Sequence, residues 1–480
     1  MQLDIALPRR GSRSLRVTLH QQLRTAILDG RLKPGVRLPS TRALADHCDV
    51  SRNTVVAAYE LLVSEGYVET RRGSGTAVAQ SLPGAGKPRG SDRRAGAQHR
   101  LGRHWRGRSV EAAAAARAPP RFAFQVGVPD YAGFPFDIWR RLSNRVLRRF
   151  RAAPALAADP QGSIALRTAI ARHVSFARAV ACDPQDIVVT AGAQQAFDVL
   201  ARILKVRDRS TVALENPGYP PLRAAFAAHG WRIAAVPVDH DGLIVERVPA
   251  HARVICVTPS HQFPLGAVLS APRRTALLES ARRRGAVIIE DDYDGEFRYV
   301  DRPLDALQTL DRTQSVFYVG TFSKSLLPEL RLGYIVAPPW ALAALVAAKQ
   351  AADGQCSPLA QATLALLISE GHLARHVRRM QIVYRRRRGQ LLEGLLAEFD
   401  GRLEALCSAA GLHVTARLAP ACDEPALIAA AATRGVGVGG LRRYYAGTPA
   451  IRGLVLGYGN IEETAIAEGL ARLRQAMPAR

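Results

Sequence analysis

A chain of 480 residues is long enough for about three domains, and its 48% hydrophobic content is that of an ordinary globular protein. The 66 Lys and Arg residues against 41 Asp and Glu give a formal net charge of +25. That balance excludes an acidic surface and favours a polyanionic partner, because each phosphate neutralised releases a condensed counterion; arginine-rich coding by a GC-rich genome is the competing source of the charge. No leader pattern opens the chain and no long uncharged apolar run could span a bilayer, so a soluble, cytoplasmic protein is expected. Cysteines 48, 182, 256, 356, 407 and 422 show neither CxxC nor metal spacing, which predicts reduced thiols and no metal site.

In chain order, residues 12–79 are compact and patterned. Leu19, Leu23 and Ile27 share one helical face until Gly30 breaks it, PSTRALADHC starts a second helix with Ser40 at its N-cap, and SRNTVVAAYELLVSEG gives a third. YVETRRGSGTAVA then reads as a hairpin with a glycine-rich tip. The outline is a winged helix-turn-helix.

Residues 80–118 are rich in Gly, Pro, Ala and Arg and lack the apolar surface needed to offset chain entropy, which predicts a flexible basic linker. From residue 119 to 480, DIVVT, TVALE, RIAAVPV, RVICVT, AVIIEDD and SVFYVG read as buried strands. ALRTAIARHV, QQAFDVLARIL and RRTALLESARRRG are helices between them. Strands alternating with helices predict an α/β domain around a mainly parallel sheet.

Each region carries its own chemistry. Ser51, Arg52, Asn53 and Thr54 open the third head helix, where N–H groups and short polar side chains can meet phosphates and base edges of double-stranded DNA. Ser40 and Arg42 on the second helix and Arg71 and Arg72 on the wing complete the candidate contacts. The stretch KPGVRLPSTRALADHCDVSRNTVVAAYELLVSEGYVETRRGSGTAVA resembles the DNA-binding domain of the GntR family of bacterial transcription regulators.

In the larger region, GTFSKSLLPELRLGY sets Lys324 among small and apolar residues. Burial depresses a lysine's pKa and makes it an amine nucleophile able to form a Schiff base. Asp291, closing the AVIIE run, is suited to hold a pyridine nitrogen protonated, and Tyr293 can donate to a ring phenolic oxygen. TAGAQQAF follows a strand and opens a helix, so the N–H groups of Ala193 and Gln194 would face a phosphate, with Ser323 and Arg331 completing the cup. Tyr219 could stack on the ring. A divalent metal at the EDDYD carboxylates is the competing reading, without a matching histidine or further carboxylate run to support it.

ENPGY, TPSHQFPLG, IIEDDYDGEFRY and GTFSKSLLPELRLGY resemble the signatures of the MocR/GabR subfamily of GntR regulators, whose C-terminal domain is similar to fold type I aminotransferases. The resemblance implies a large α/β domain plus a smaller α+β domain, with pyridoxal 5'-phosphate as cofactor. By it, Lys324 carries the Schiff base, Asp291 pairs with the pyridine nitrogen, Tyr293 meets the phenolic oxygen, Arg331 meets the phosphate, and Arg452 clamps the carboxylate of a small amino compound.

Two departures from the pattern stand out. Ala157 occupies the place of a tyrosine that reaches the phosphate across a dimer interface, and Phe263 that of an asparagine touching the phenolic oxygen. Arg223, the cation nearest Tyr219 in its loop, reads as a surface side chain.

The expected function is a regulator that senses an amino compound, or the cofactor itself, as a head-to-tail homodimer. A working aminotransferase carrying a DNA-binding head is the alternative, which Phe263 disfavours.

Overall fold

The computed structural model describes residues 15–71, 75–80, 105, 120–152, 159–207, 210–299, 305–406, 408 and 410–478. Arg72, Ala157, Cys407 and nearly all of the expected linker lie outside the described residues, as does the side chain of Arg71. The chain divides into two compact units between Arg106 and Gly107.

The first unit is built from α1 (Leu15–Leu28), α2 (Thr41–Cys48), α3 (Arg52–Ser64), β1 (Val68–Arg71) and β2 (Gly75–Val78). Leu19, Leu23 and Ile27 of α1 bury against Val55 and Leu62 of α3 in one core. Exposed positions such as Val17 lie on α1 without entering that core. Ser40 Oγ accepts from Ala43 N at 3.2 Å and Ser51 Oγ from Thr54 N at 3.1 Å, so both serines fill orphan donors at helix starts. Antiparallel β1 and β2 pair Val68 with Val78 to form the wing.

The second unit opens with β3 (Phe122–Ala123). Its central sheet comprises β4 (Ile187–Thr190), β5 (Thr211–Asn216), β6 (Arg232–Asp239), β7 (Gly242–Leu243), β8 (Ala252–Val257), β9 (Val287–Asp292), β10 (Val316–Thr321) and β11 (Gly333–Val336). The strand order is β4-β11-β10-β9-β8-β5-β6-β7, and only β11 and β7 run against the rest. Parallel strands need crossover connections. The predicted QQAFDVLARIL helix joins β4 to β5 and RRTALLESARRRG joins β8 to β9, each packing in its own apolar cluster, whereas ALRTAIARHV precedes β4. The six predicted strand runs coincide with β4, β5, β6, β8, β9 and β10.

A second sheet joins β12 (Leu403–Ala405), β13 (His413–Leu418), β15 (Gly439–Gly440) and β16 (Gly453–Gly457), while β14 (Val436–Gly437) pairs in parallel with β3. This is the smaller α+β portion. Among the described residues no helix is long and apolar enough to cross a membrane. Cys48, Cys182, Cys256, Cys356 and Cys422 are free thiols.

Candidate functional site

Sheet register assembles the site. Val319 of β10 lies beside Asp291 of β9, so the turn after β10 that carries Lys324 leaves the sheet next to Asp291. Gly333 of β11 pairs with both Thr321 and Thr190, which brings the turn holding Arg331 against Gly192. Ligands of open α/β sheets bind beyond the carboxyl ends of their strands. Here a cavity of about 820 Å³ opens at that place.

Period-two alternation along β9 sorts its carboxylates. Glu290 turns away from the cavity and accepts the N–H groups of Leu307 and Gln308, each at 3.0 Å. Asp292 is committed to Arg178 Nε at 2.6 Å and to the Tyr318 hydroxyl at 2.6 Å. Asp291, between them, faces the cavity, and its buried Oδ1 has no partner among the described residues. Burial and the neighbouring carboxylates Asp292, Asp294 and Glu215 push its pKa well above the ordinary value, while Lys324 opposes them. Glu290, Asp291 and Asp292 of the EDDYD run are therefore divided between two faces of a strand, so these three carboxylates do not converge on one ion.

Lys324 is half-buried on the cavity wall and donates from Nζ to the Gly127 carbonyl at 2.6 Å. Desolvation lowers its pKa, partly offset by Asp294 and Asp291, so the neutral amine is more accessible than in a free lysine. Gly192 adopts φ +79° at the start of the helix Ala193–Ile203, and a Cβ there would come within 3.5 Å of the Arg331 guanidinium. Helix N–H groups and an arginine thus converge on one small cradle. Ser323 borders it, bonded to Thr321 Oγ1 at 3.1 Å.

Ala193, Gln194, Tyr219, Asp291, Tyr293, Ser323, Lys324 and Arg331 all line the cavity, so one space unites every expected cofactor contact. Phe263 lines it too and packs edge-on against Tyr219 at 5.7 Å and Tyr293 at 5.8 Å. Arg452 does not join them: it is exposed at the entry to β16, where the side chains pointing inward are apolar, Val455 among them packing near Phe263. Arg223, on the helix Pro220–Ala228, also lies off the cavity wall.

Sequence reasoning passed over three groups. Arg443 and Tyr444 line the cavity from a short turn, with the guanidinium 5.5 Å from the tyrosine ring centre. His261, Asp294 and His413 form a buried cluster beneath Tyr293, each offering one ligand-type atom within 4.8 Å of the others. Direct hydrogen bonds already occupy it, with His261 Nδ1 at 2.8 Å from Asp294 Oδ2 and His413 Nε2 at 3.0 Å from the Pro264 carbonyl. TPSHQ and EDDYD contained the signal, but their pairing spans 33 residues and is visible only in the fold. Lys349, wholly buried and held at 2.5 Å by Asp353, is the third, and it serves packing.

An unpaired buried carboxylate, a low-pKa amine and an anion cradle fit the pyridine nitrogen, carbonyl and phosphate of pyridoxal 5'-phosphate. Residues 125–452 match the family described as aminotransferase class I and II, and residues 15–78 match the gntR family of bacterial regulatory proteins. The chain belongs to the MocR/GabR subfamily of GntR-family regulators. It is 37% identical to the probable rhizopine catabolism regulatory protein MocR of Rhizobium meliloti over 95% of this chain and 92% of that protein. It is 33% identical to the pyridoxine biosynthesis transcriptional regulator PdxR of Corynebacterium glutamicum over 99% and 98% respectively. Among solved structures, the α-aminoadipate aminotransferase LysN of Thermus thermophilus is 29% identical with a TM-score of 0.68, covering 74% of this chain and 91% of LysN. Membership makes this subfamily chain a DNA-binding transcription regulator with a pyridoxal phosphate-dependent, aminotransferase-like domain.

Proposed function

We propose that DNA binding by the head answers to what occupies the Lys324 cavity, the signal being an amine-bearing small molecule or pyridoxal phosphate itself. The observation that carries this reading is the unpaired Asp291 carboxylate beside the low-pKa Lys324 amine in a chain that also bears a winged helix. When bound, the cofactor supplies a carbonyl for the Lys324 amine and a ring that withdraws electrons. Asp291 holds the ring nitrogen, the Gly192 cradle and Arg331 hold the phosphate, and Phe263 and Tyr219 close the apolar wall.

An incoming amine would compete with Lys324 for the cofactor's carbonyl, taking its place there and leaving the Lys324 Nζ as a free amine. An anionic group on that amine would meet Arg443, a cation lining the cavity with no carboxylate partner among the described residues, in preference to the outlying Arg452. Phe263 offers the phenolic oxygen no polar group, which supports sensing over turnover. The protein works in the cytoplasm as a head-to-tail homodimer that sets two winged helices on paired half-sites. Domain limits of 12–79, 80–118 and 119–480 accompany this reading.

The ligand must distinguish two states of the protein, or nothing shifts. DNA affinity is to be measured with the full chain under three conditions: alone, with pyridoxal phosphate, and with the cofactor plus a panel of amino compounds. The wild type should change affinity in one of the last two conditions, and Lys324→Ala should not respond to amines. A Lys324→Ala chain that still responds to an amine as the wild type does would overturn the role given to this lysine.

A further inference from the structure

The buried cluster behind Tyr293 is tied together by hydrogen bonds through the His261 ring and Ser408. Tyr293 Oη lies 2.9 Å from His261 Nδ1, and the same nitrogen lies 2.8 Å from Asp294 Oδ2. His261 Nε2 lies 2.7 Å from Ser408 Oγ, which in turn lies 3.1 Å from the Ala410 carbonyl. The His261 and Asp294 side chains are 1% and 2% exposed, so no bulk water relieves an error in this pattern.

A hydroxyl has one hydrogen, and a carbonyl or ionised carboxylate only accepts. Ser408 can give its one hydrogen to the Ala410 carbonyl or to Nε2, so either state of Nε2 is accommodated. Asp294 accepts, so Nδ1 carries a hydrogen, shared between Asp294 and the Tyr293 oxygen. Tyr293 cannot donate back to a nitrogen that is already protonated. Its own hydrogen has two directions open, the Asp294 carboxylate that His261 already engages and the cavity that Tyr293 lines, and an acceptor standing in the cavity draws it there.

The remaining groups around the ring are consistent with this pattern. His413 stands 5.1 Å away centre to centre, donates from Nε2 to the Pro264 carbonyl, and is kept neutral by burial, with its pKa lowered to about 3. Burial raises the Asp294 pKa, and the His261 contact opposes that rise. Lys324 and Asp291 face the cluster from across the cavity, and Arg388 takes the Ser408 carbonyl.

We propose that His261, anchored by Asp294, is a positioning residue that fixes Tyr293 as a hydrogen-bond donor toward the cofactor's phenolic oxygen. The proposal rests on the cofactor reading of the cavity. A donor at that oxygen withdraws negative charge and weakens the hold on the proton shared with the Lys324 nitrogen. Loss of the donor should therefore raise the pH at which the linkage at Lys324 gives up that proton.

Two measurements on the full-length chain test this. In cofactor-free protein labelled with ¹⁵N-histidine, long-range ¹H–¹⁵N spectra at neutral pH should show His261 bearing a hydrogen on Nδ1, its signal assigned by its loss in His261→Asn. A bare Nδ1 would overturn the proposal whether or not the cofactor binds. In the pyridoxal phosphate-loaded chain, the visible band is titrated with pH. His261→Asn, whose amide N–H falls near the Nδ1 place, should titrate like the wild type, while His261→Leu should titrate about one pH unit higher, a tenfold change in the proton equilibrium. His261→Gln, which sets its amide near the Nε2 place, should behave as His261→Leu and stands in for it if the leucine variant does not fold. Equal titration in wild type and His261→Gln, or an equal shift in the Asn and Gln variants, would overturn the proposal. Failure of the wild type to take up cofactor at Lys324 would instead overturn the cofactor reading.

Discussion

Asp291 carries the sharpest conflict between folding and function. Its carboxylate is buried, its Oδ1 is unpartnered, and three neighbouring acidic groups raise its pKa. An uncompensated buried polar group costs about 1–3 kcal/mol, more when charged, and an amide would remove the charge. Asp291→Asn should therefore raise the melting temperature of the cofactor-free chain. In the proposed role at the ring nitrogen, Asp291 would make a charge-assisted bond of about 1.5–3 kcal/mol, so on that reading the same change should lower cofactor affinity roughly tenfold or more. Calorimetry without cofactor and equilibrium titration with it check the two halves. A parallel fall in both would mean that Asp291 serves packing alone. The lysines show why residue type is an incomplete guide: Lys349 is more deeply buried than Lys324, yet its amine is spent on Asp353. What distinguishes Lys324 is a cavity in front of it and, among the described residues, a carbonyl rather than a carboxylate as hydrogen-bond partner.

At the scale of elements, the sequence was most legible where a repeat is local. Apolar runs separated by helical patterns marked six strands of the central sheet, and Ser40 and Ser51 marked two helix starts. Less legible was anything set by pairing between distant strands. Arg452 stands close in sequence to the residues of β16 that face the cavity side, yet the strand places it outside, while Arg443 enters from a turn with no periodic signal. The alternation of β9 has a measurable consequence. Glu290 is wholly buried on the face away from the cavity, and burial raises its pKa to about 7 from an ordinary 4.5. Because the folded value lies above the unfolded one, its contribution to stability is fully present below pH 4.5 and is lost as pH rises through about 7. Glu215, also raised to about 7, acts with the same sign. Glu290→Gln should flatten the decline in melting temperature across that window, because the amide does not titrate. An unaltered pH slope would place the charge change elsewhere.

For the whole molecule, the net charge of +25 is not by itself evidence of sequence-specific binding, since any basic surface attracts a polyanion. Exposed arginines occur in both units: Arg42 and Arg52 at the helix starts of the head, and Arg385 and Arg386 on the long helix His372–Glu398. Arg52 differs in being fixed, its Nε donating to Thr41 Oγ1 at 3.3 Å, so α2 and α3 present it in a set orientation. Fixed placement at the start of a recognition helix can discriminate bases, whereas a mobile surface cation contributes only counterion release. With a high-affinity duplex selected from a random pool and a scrambled control, Arg52→Ala in the full chain should reduce the preference between the two. It should also lower the slope of log affinity against log salt by about 1 if the side chain neutralises one phosphate. Arg385→Ala with Arg386→Ala should leave the preference intact and change affinity for both duplexes alike. Loss of preference in the long-helix pair, with retention in Arg52→Ala, would move the DNA-reading surface from the head to the effector unit and overturn the assignment of α3.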